Sequence, residues 1–120
     1  MPDPFDRVRA IAITFPGVED STTFDSPSLK VKGKYLAQMW QDGDSLILSM
    51  EIIERELWIE AEPDIFFITD HFRNWPSVLI RLSQIDDDLL TDLIAKAWRR
   101  RAPKKLVKTY DESNECRQCP

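Results

Sequence analysis

The sequence has few of the residues on which several classes of protein depend. Its 120 residues include three glycines, one histidine and two cysteines, and 16 basic side chains face 21 acidic ones, for a formal net charge of -5. No apolar run approaches the roughly 20 residues of a membrane-spanning helix, and the first residues lack the regions of a signal peptide. We therefore expect a soluble cytoplasmic protein with no membrane contact, whose surface as a whole does not coat nucleic acid.

The scarcity of glycine and histidine excludes several kinds of catalytic site. Gly17, Gly33 and Gly43 are far apart, so the chain has no glycine-rich phosphate loop. No serine has the flanking glycines of a nucleophile elbow. The single histidine, His71, excludes a multi-histidine metal site. We predict no metal and no cofactor, and the absence of a catalytic constellation favours a protein that is not an enzyme.

The remaining composition is that of one folded domain. Hydrophobic residues make up 42% of the chain and charged residues 31%, a balance typical of globular proteins. Domains of about 100 to 150 residues are the commonest size, so the length suits one core. We predict a single domain over residues 1–106. Because residues 107–120 carry few apolar side chains, we expect them to form a flexible C-terminal tail.

Helix and strand signals follow one another in the first half of the chain. Asp3 can cap a helix that Pro4 opens, and apolar residues recur at helical spacing as far as Phe15, before Pro16. From residue 18 to residue 50, short β-branched and aromatic segments between turn residues predict an antiparallel meander. Its clearest hairpin joins residues 34–41 to residues 45–50 through an Asp-Gly pair.

The second half of the chain predicts two helices and a strand. Residues 51–61 suit either a helix or a strand, and their Glu and Arg content, with Pro63 after them, favours the helix. A short apolar piece at 65–68 precedes an alternating strand at 77–82. Residues 86–101 form the strongest helix, with acids at its start, arginines at its end and one apolar stripe. Together these elements predict an α+β fold, an antiparallel sheet with helices packed on one face.

Three groups of polar residues could carry chemistry. His71 beside Asp70 could act as an acid or base, although a lone histidine among aromatic residues is more often a hydrogen-bonded packing residue, which we favour. Cys116 and Cys119 have the spacing of half a zinc site or of a redox pair; with no second pair in the sequence, we favour two reduced thiols. The acids of residues 51–64 are interpreted as a solvated helix face.

Two clusters of basic residues could contact phosphate groups. A strand would place Lys30 and Lys32 on one side with Lys34 nearby, as a wing that touches a nucleic-acid backbone or as lysines that protect a sheet edge from pairing. The second cluster begins in the last turn of the helix predicted at 86–101, where its arginines also complement the negative end of the helix dipole. Its members are Arg99, Arg100, Arg101, Lys104, Lys105 and Lys108.

Several segments together resemble a known family. The segment FFITDHFRNWPSVLIRL at 66–82 and AWRRRAPKKL at 97–106 are preceded, in the matching order, by FPGVED at 15–20, KVKGKYLAQM at 30–39 and DGDSLIL at 42–48. In this order and spacing the chain is similar to the MmcQ/YjbR-like proteins. The resemblance implies a CyaY-like (frataxin-like) fold and DNA binding through hairpin wings. It transfers no catalytic residues.

Three hypotheses about function follow from these observations. The first is a module that binds DNA without sequence preference through the two basic clusters. The second is a small-molecule-binding or enzymatic domain with an aromatic pocket, for which the candidate lining residues are Tyr35, Trp40, His71, Phe72 and Trp75. The third is a protein-interaction adaptor with an exposed apolar patch or a stable dimer. The sequence leaves the oligomeric state open.

Overall fold

The computed structural model describes the backbone of residues 4–23, 26–40 and 43–118, and the side chains at 5–21, 27–40 and 43–111. It contains one sheet and four α-helices, with a 3-10 turn at Asp70–Phe72. The elements in chain order are α1 (Pro4–Ala12), β1 (Val18–Thr23), β2 (Ser26–Val31), β3 (Lys34–Met39), β4 (Ser45–Ser49), α2 (Ile52–Ala61), β5 (Phe66–Phe67), β6 (Ser77–Arg81), α3 (Asp87–Arg101) and α4 (Lys104–Gln118).

The six strands form one antiparallel sheet in the order β1-β2-β3-β4-β6-β5. Side chains alternate between its two faces. Cross-strand partners Leu46, Ile80 and Phe66 lie on one face, where they join the main core with residues of α1 and α3. The predicted α+β fold, an antiparallel sheet with helices packed on it, is therefore confirmed. We call the opposite side of the sheet the second face.

Helix α3 forms where its pattern predicts it. The Asp86 carboxylate accepts a 2.7 Å hydrogen bond from the Leu89 amide, which satisfies one of the orphan donors at the helix N-terminus. The apolar stripe is buried against the sheet, and Trp98 is fully buried. Its indole Nε1 donates to the Pro16 carbonyl at 2.8 Å, so α3 also fixes the connection between α1 and β1.

The first helix ends three residues earlier than predicted. It stops at Ala12, and the next turn tightens because Thr14 and Phe15 donate their amides to carbonyls three residues back rather than four. Phe15 is nevertheless buried in the core. It therefore belongs to the same apolar surface as the helix, although it lies beyond the last helical residue. The expected cap, Asp3, lies outside the described residues.

Two turns of the meander use positive φ angles. Lys32 and Gly33 have φ values of 50° and 81°, as a two-residue hairpin turn between β2 and β3 requires. Gly43, in the β3–β4 connection, has a φ of 75°; the predicted Asp-Gly pair begins with Asp42, which lies outside the described residues. The predicted hairpin of β3 with β4 is confirmed.

An irregularity in the β2–β3 pairing changes which side chains of β3 reach the second face. Leu29 lies opposite Ala37, whereas Lys30 lies opposite Tyr35, so Leu36 is an extra residue on β3. Leu36 and Ala37 are both buried in the main core. Tyr35 consequently packs on the second face, where simple alternation from Ala37 would not put it.

The chain after α3 is a helix, whereas the sequence predicts a flexible tail from residue 107. Pro103 ends α3, and its carbonyl accepts from the amides of Leu106 and Val107 in the first turn of α4. Leu106, Val107 and Tyr110 all pack against the core. The residues from 107 to 110 thus make contacts that the sequence, with its few apolar side chains there, did not indicate.

An aromatic triad and an ion pair hold α4 on α3. The Tyr110 ring lies 4.9 Å from Trp98 and 5.7 Å from Phe15, measured between ring centroids. Arg99 and Asp111 are joined at 2.7 Å. The hydrogen bond from Arg99 lowers the pKa of the Asp111 carboxyl below its ordinary value, so this contact is present at neutral pH.

Each of the four helices in the described part of the chain has 15 residues or fewer. Helices α3 and α4 have 15 residues each. Within residues 4–23, 26–40 and 43–118, no helix combines the length and the apolar character that crossing a membrane requires.

We predict that Tyr110→Ala lowers the free energy of unfolding by roughly 1 to 3 kcal/mol, because it removes a ring that packs on two others. Urea denaturation followed by circular dichroism measures the change. Thr109→Ala, at an exposed position of the same helix, is the matched control and should change little. An equal stability of the two variants would contradict the docking of α4.

Candidate functional site

The second face of the sheet carries a smaller aromatic cluster. Ile47, Leu79 and Phe67 are cross-strand partners of β4, β6 and β5. Ile47 and Leu79 form a buried group with Phe72, and the side chains packed against this group are Tyr35, Trp40, Phe67 and Ile68. Phe72 comes from residues 69–77, which we call the 69–77 loop. This loop covers part of the second face.

A buried arginine fixes the shape of the 69–77 loop. The side chain of Arg55, on α2, is 2% exposed, and its guanidinium donates to four backbone carbonyls of the loop at 2.8 to 3.2 Å. Glu56, which is more than half exposed, supplies the adjacent negative charge. Because a buried guanidinium is costly unless its N–H groups are paired, each carbonyl stabilises the arginine and the arginine fixes the loop. The four acceptors belong to Phe72, Arg73, Trp75 and Ser77.

A cavity of about 330 Å³ opens between this loop, the second face and the end of α3. Trp75 lines it and is 61% exposed, so its indole stands at the opening. Phe72 and Ile47 form buried walls. The full lining consists of Tyr35, Ile47, Ser49, His71, Phe72, Trp75, Pro76, Ser77 and Arg101.

Four of the five aromatic residues predicted for a pocket line this cavity. They are Tyr35, His71, Phe72 and Trp75. The fifth, Trp40, stacks against His71, with ring centroids 6.5 Å apart, and meets Phe72 edge-on at 5.1 Å. Trp40 therefore supports the lining from the same cluster.

His71 is held by rings rather than by the hydrogen bond that we expected. It is exposed, and its ring lies between Trp40 and the edge of Phe72. Its imidazole makes no hydrogen bond to another residue of the described part of the chain. The physical reason is that the carbonyls of the 69–77 loop accept hydrogen bonds from Arg55. The imidazole of His71 instead lies in the lining of the cavity.

Tyr35 connects the cavity to the arginines of α3. Its hydroxyl donates to Gln38 Oε1 at 3.1 Å, and its carbonyl accepts from Arg101 Nε at 2.9 Å. Burial raises the pKa of the Tyr35 phenol well above its ordinary value, since the phenolate would lose its hydration. The phenol is thus protonated at neutral pH and serves as a donor.

The three consecutive arginines at the end of α3 have three different partners. Arg99 pairs with Asp111 of α4, Arg100 Nη1 donates to Ser49 Oγ at 2.7 Å, and Arg101 binds the backbone of β3. They do not form one uniform basic patch. Arg101 alone among them lines the cavity, a position that the sequence did not indicate.

The turn that carries Lys32 and Lys34 lies close to the first turn of α4, which carries Lys104 and Lys105. The two meet at Gly17: a Cβ built on Gly17 would lie 2.9 Å from Cδ2 of Leu106, the residue after Lys105, and 3.3 Å from Cε of Lys32. We call Lys32, Lys34, Lys104 and Lys105 the basic end. All four are exposed, and none forms an ion pair with another residue that the structure describes. Lys30 is half-buried in β2, opposite Glu19.

The remaining candidate groups provide no metal site among the described residues. In those residues, no three His, Cys, Asp or Glu side chains are grouped closely enough to hold an ion. The acids of 51–64 are mostly exposed, and Glu54 contacts Lys96 at 3.4 Å. Cys116 falls within α4, but its side chain and all of Cys119 lie outside the described residues.

Sequence reasoning missed Arg55, which shapes the site. The residue lies inside a run of glutamates, and no role was assigned to it from the sequence. Its signal is positional: Arg55, Trp58 and Ile59 are spaced three and four residues apart, so they share the inward stripe of α2. Trp58 and Ile59 pack on the core.

Comparison with known proteins adds a family and a fold. A family model described as YjbR matches residues 13–100. Two relatives, both named as uncharacterised proteins, are Rv2570 of Mycobacterium tuberculosis (strain ATCC 25618 / H37Rv) and Mb2600 of Mycobacterium bovis. Each is 44% identical to this chain over 52 residues, which are 43% of this chain and 40% of the relative's length.

A solved structure shares the fold. The crystal structure of Deinococcus radiodurans protein DR2400, which carries a DUF419 domain, superposes with a TM-score of 0.67 at 21% identity. The match covers 78% of this chain and 75% of that one. At this identity the similarity shows the architecture alone.

We predict that Arg55→Met lowers the free energy of unfolding by roughly 2 to 4 kcal/mol and speeds amide exchange in the 69–77 loop, because carbonyls of that loop lose their donor. Urea denaturation and hydrogen exchange measure the two effects. Arg73→Met is the control, since the Arg73 side chain forms an ion pair with the exposed Asp70 and such pairs contribute little. Unchanged exchange in the Arg55 variant would show that the loop does not depend on it.

Proposed function

The chain belongs to the YjbR family, and we propose that its domain binds a small organic ligand in the cavity on the second face. The observation that carries this proposal is the convergence of aromatic side chains from three parts of the chain on one opening. Tyr35 comes from β3, His71 and Phe72 from the 3-10 turn, and Trp75 from the loop that follows.

The size and lining of the cavity suit such a ligand. A volume of about 330 Å³ lies at the lower end of the range of small-molecule sites, which are mostly apolar with a few polar groups. Here the walls are aromatic and aliphatic, and the polar groups are Ser49, Ser77 and Arg101. Flat aromatic walls favour a planar group, which they contact over a large area.

The cavity is also fixed before a ligand arrives. Arg55 binds the loop through four carbonyls, and Phe72 is buried against the sheet. Ligand binding then requires less ordering of the protein, which would otherwise reduce affinity.

The contacts favour binding over nucleophilic catalysis. An activated serine needs a base within hydrogen-bond reach. The hydroxyl of Ser49 instead accepts from Arg100. Within the described residues no hydrogen bond connects His71 to Ser49 or Ser77.

We predict that planar aromatic fragments bind in the cavity and that Trp75→Ala weakens their binding at least fivefold. The exposed indole can be removed without loss of core packing, so the fold should persist. Titrations followed by amide NMR spectra measure affinity and locate the site. Leu57→Ala, another exposed apolar residue, lies on α2 outside the lining and is the matched control.

Two results would contradict the ligand-binding proposal. One is the absence of any shift at cavity-lining residues with fragments at millimolar concentration. The other is binding that both variants weaken equally.

A second candidate function is nucleic-acid binding at the basic end. It is supported by the approach of Lys32 and the first turn of α4 around Gly17. Four exposed lysines without ion pairs among the described residues could contact phosphates on a molecule whose net charge is -5. Such contacts would be independent of base sequence.

We predict weak, salt-sensitive binding to short DNA that the pair Lys32→Glu and Lys34→Glu abolishes. Counterion release should give a slope of log affinity against log salt of about -0.9 per phosphate neutralised on duplex DNA. Fluorescence anisotropy at about 50 mM salt measures it. The pair Arg73→Glu and Lys96→Glu, which changes two exposed basic side chains outside the basic end by the same total charge, is the control. No binding at tens of micromolar protein would exclude this function.

A further inference from the structure

We propose that the ligand of the cavity is a planar aromatic carboxylate whose ring packs on Phe72 and Trp75 and whose carboxylate binds Arg101. This inference rests on the proposed function, since it names the chemical class of ligand for the same cavity. It follows from the charges of the lining, from the hydrogen bonds that Arg101 already makes, and from the shape of the aromatic walls.

The charge of the lining selects for an anion. Of the nine side chains that line the cavity, Arg101 carries a permanent positive charge, and none is an aspartate or a glutamate. A ligand with one negative charge would therefore meet one fixed positive group and no carboxylate. A cationic ligand would meet repulsion in an apolar surrounding, where charges are weakly screened.

Arg101 is held in place with part of its guanidinium still available. Its Nε donates to the Tyr35 carbonyl at 2.9 Å, which restricts the side chain to one region. Its two terminal nitrogens make no hydrogen bond to any residue in the described part of the chain. Paired Nη groups are suited to the two oxygens of a carboxylate, in a contact that is both charge-assisted and directional.

The dipole of α3 opposes an anion at this end, but its effect is the smaller one. Helix C-termini carry partial negative charge that falls off within the last turn. Arg100, which donates to the uncharged Ser49, lies in that turn as well and offsets it. The guanidinium of Arg101 carries a full charge and would lie in direct contact with the ligand.

A carboxylate fits the donors better than a phosphate does. A phosphate group offers up to two negative charges and several acceptor oxygens, and its sites usually supply several cations or a series of backbone N–H groups. Here the lining offers one permanent cation, the guanidinium of Arg101, together with the hydroxyls of Ser49 and Ser77 and the imidazole of His71. The Tyr35 hydroxyl is already engaged with Gln38.

The experiment compares two probes of nearly the same shape and different charge, 2-naphthoate and 2-naphthamide. Both are titrated into the wild-type protein, Arg101→Gln, Arg101→Lys and the control Arg99→Gln, with amide NMR spectra as the readout. We expect naphthoate to bind the wild type at least tenfold more tightly than naphthamide. Arg101→Gln should remove that preference, Arg101→Lys should keep part of it, and Arg99→Gln should keep all of it.

The outcomes separate this inference from the proposed function. If both probes bind the cavity equally and Arg101→Gln changes neither affinity, the ligand class is wrong and the binding site stands. If neither probe shifts the cavity residues, the binding site itself is wrong. If Arg101→Gln does not fold, the wild-type comparison decides: a naphthoate preference that declines with added salt supports the inference, and equal affinities overturn it.

Discussion

The hydrogen bonds of one buried guanidinium determine the geometry of the second face. Removing Arg55 from water would be strongly unfavourable without compensation, and the compensation comes from carbonyls that the 69–77 loop turns inward. The loop carries too few buried apolar groups to fix its own shape, with Phe72 its one large buried side chain. Its conformation, and with it the position of Trp75 and His71, therefore depends on a residue of a different element.

The end of α3 fixes a second wall of the cavity, where Arg101 binds the backbone of Tyr35. Three neighbouring arginines reach α4, β4 and β3, so the last helical turn connects elements that are far apart in sequence. The positive charges at the end of α3 therefore act on separate neighbours and do not form one basic surface. Each guanidinium has a specific neighbour, whereas the lysines of the basic end are exposed and form no ion pair with another described residue.

The sequence predicted elements better than it predicted their contacts. The stripe of α3 and the cap at Asp86 are periodic and local, so they could be identified directly. The pocket was harder to predict. The aromatic content of the sequence suggested its members, but their convergence depends on the extra residue Leu36 and on Arg55. The extra residue leaves no periodic signal, and the spacing of Arg55 indicates an inward position on α2 without indicating the carbonyls that it binds. Helix α4 was missed since Tyr110 packs on rings that only the tertiary fold brings near.

The contact between Trp98 and Pro16 has a consequence for how the chain folds. The hydrogen-bonded groups are 82 residues apart in sequence, and Phe15 meets Tyr110 across an even longer separation. Closing such long loops is entropically unfavourable until the intervening sheet has formed. The segment between α1 and β1 therefore reaches its final packing late, and during synthesis Phe15 stays exposed until the last two helices are complete.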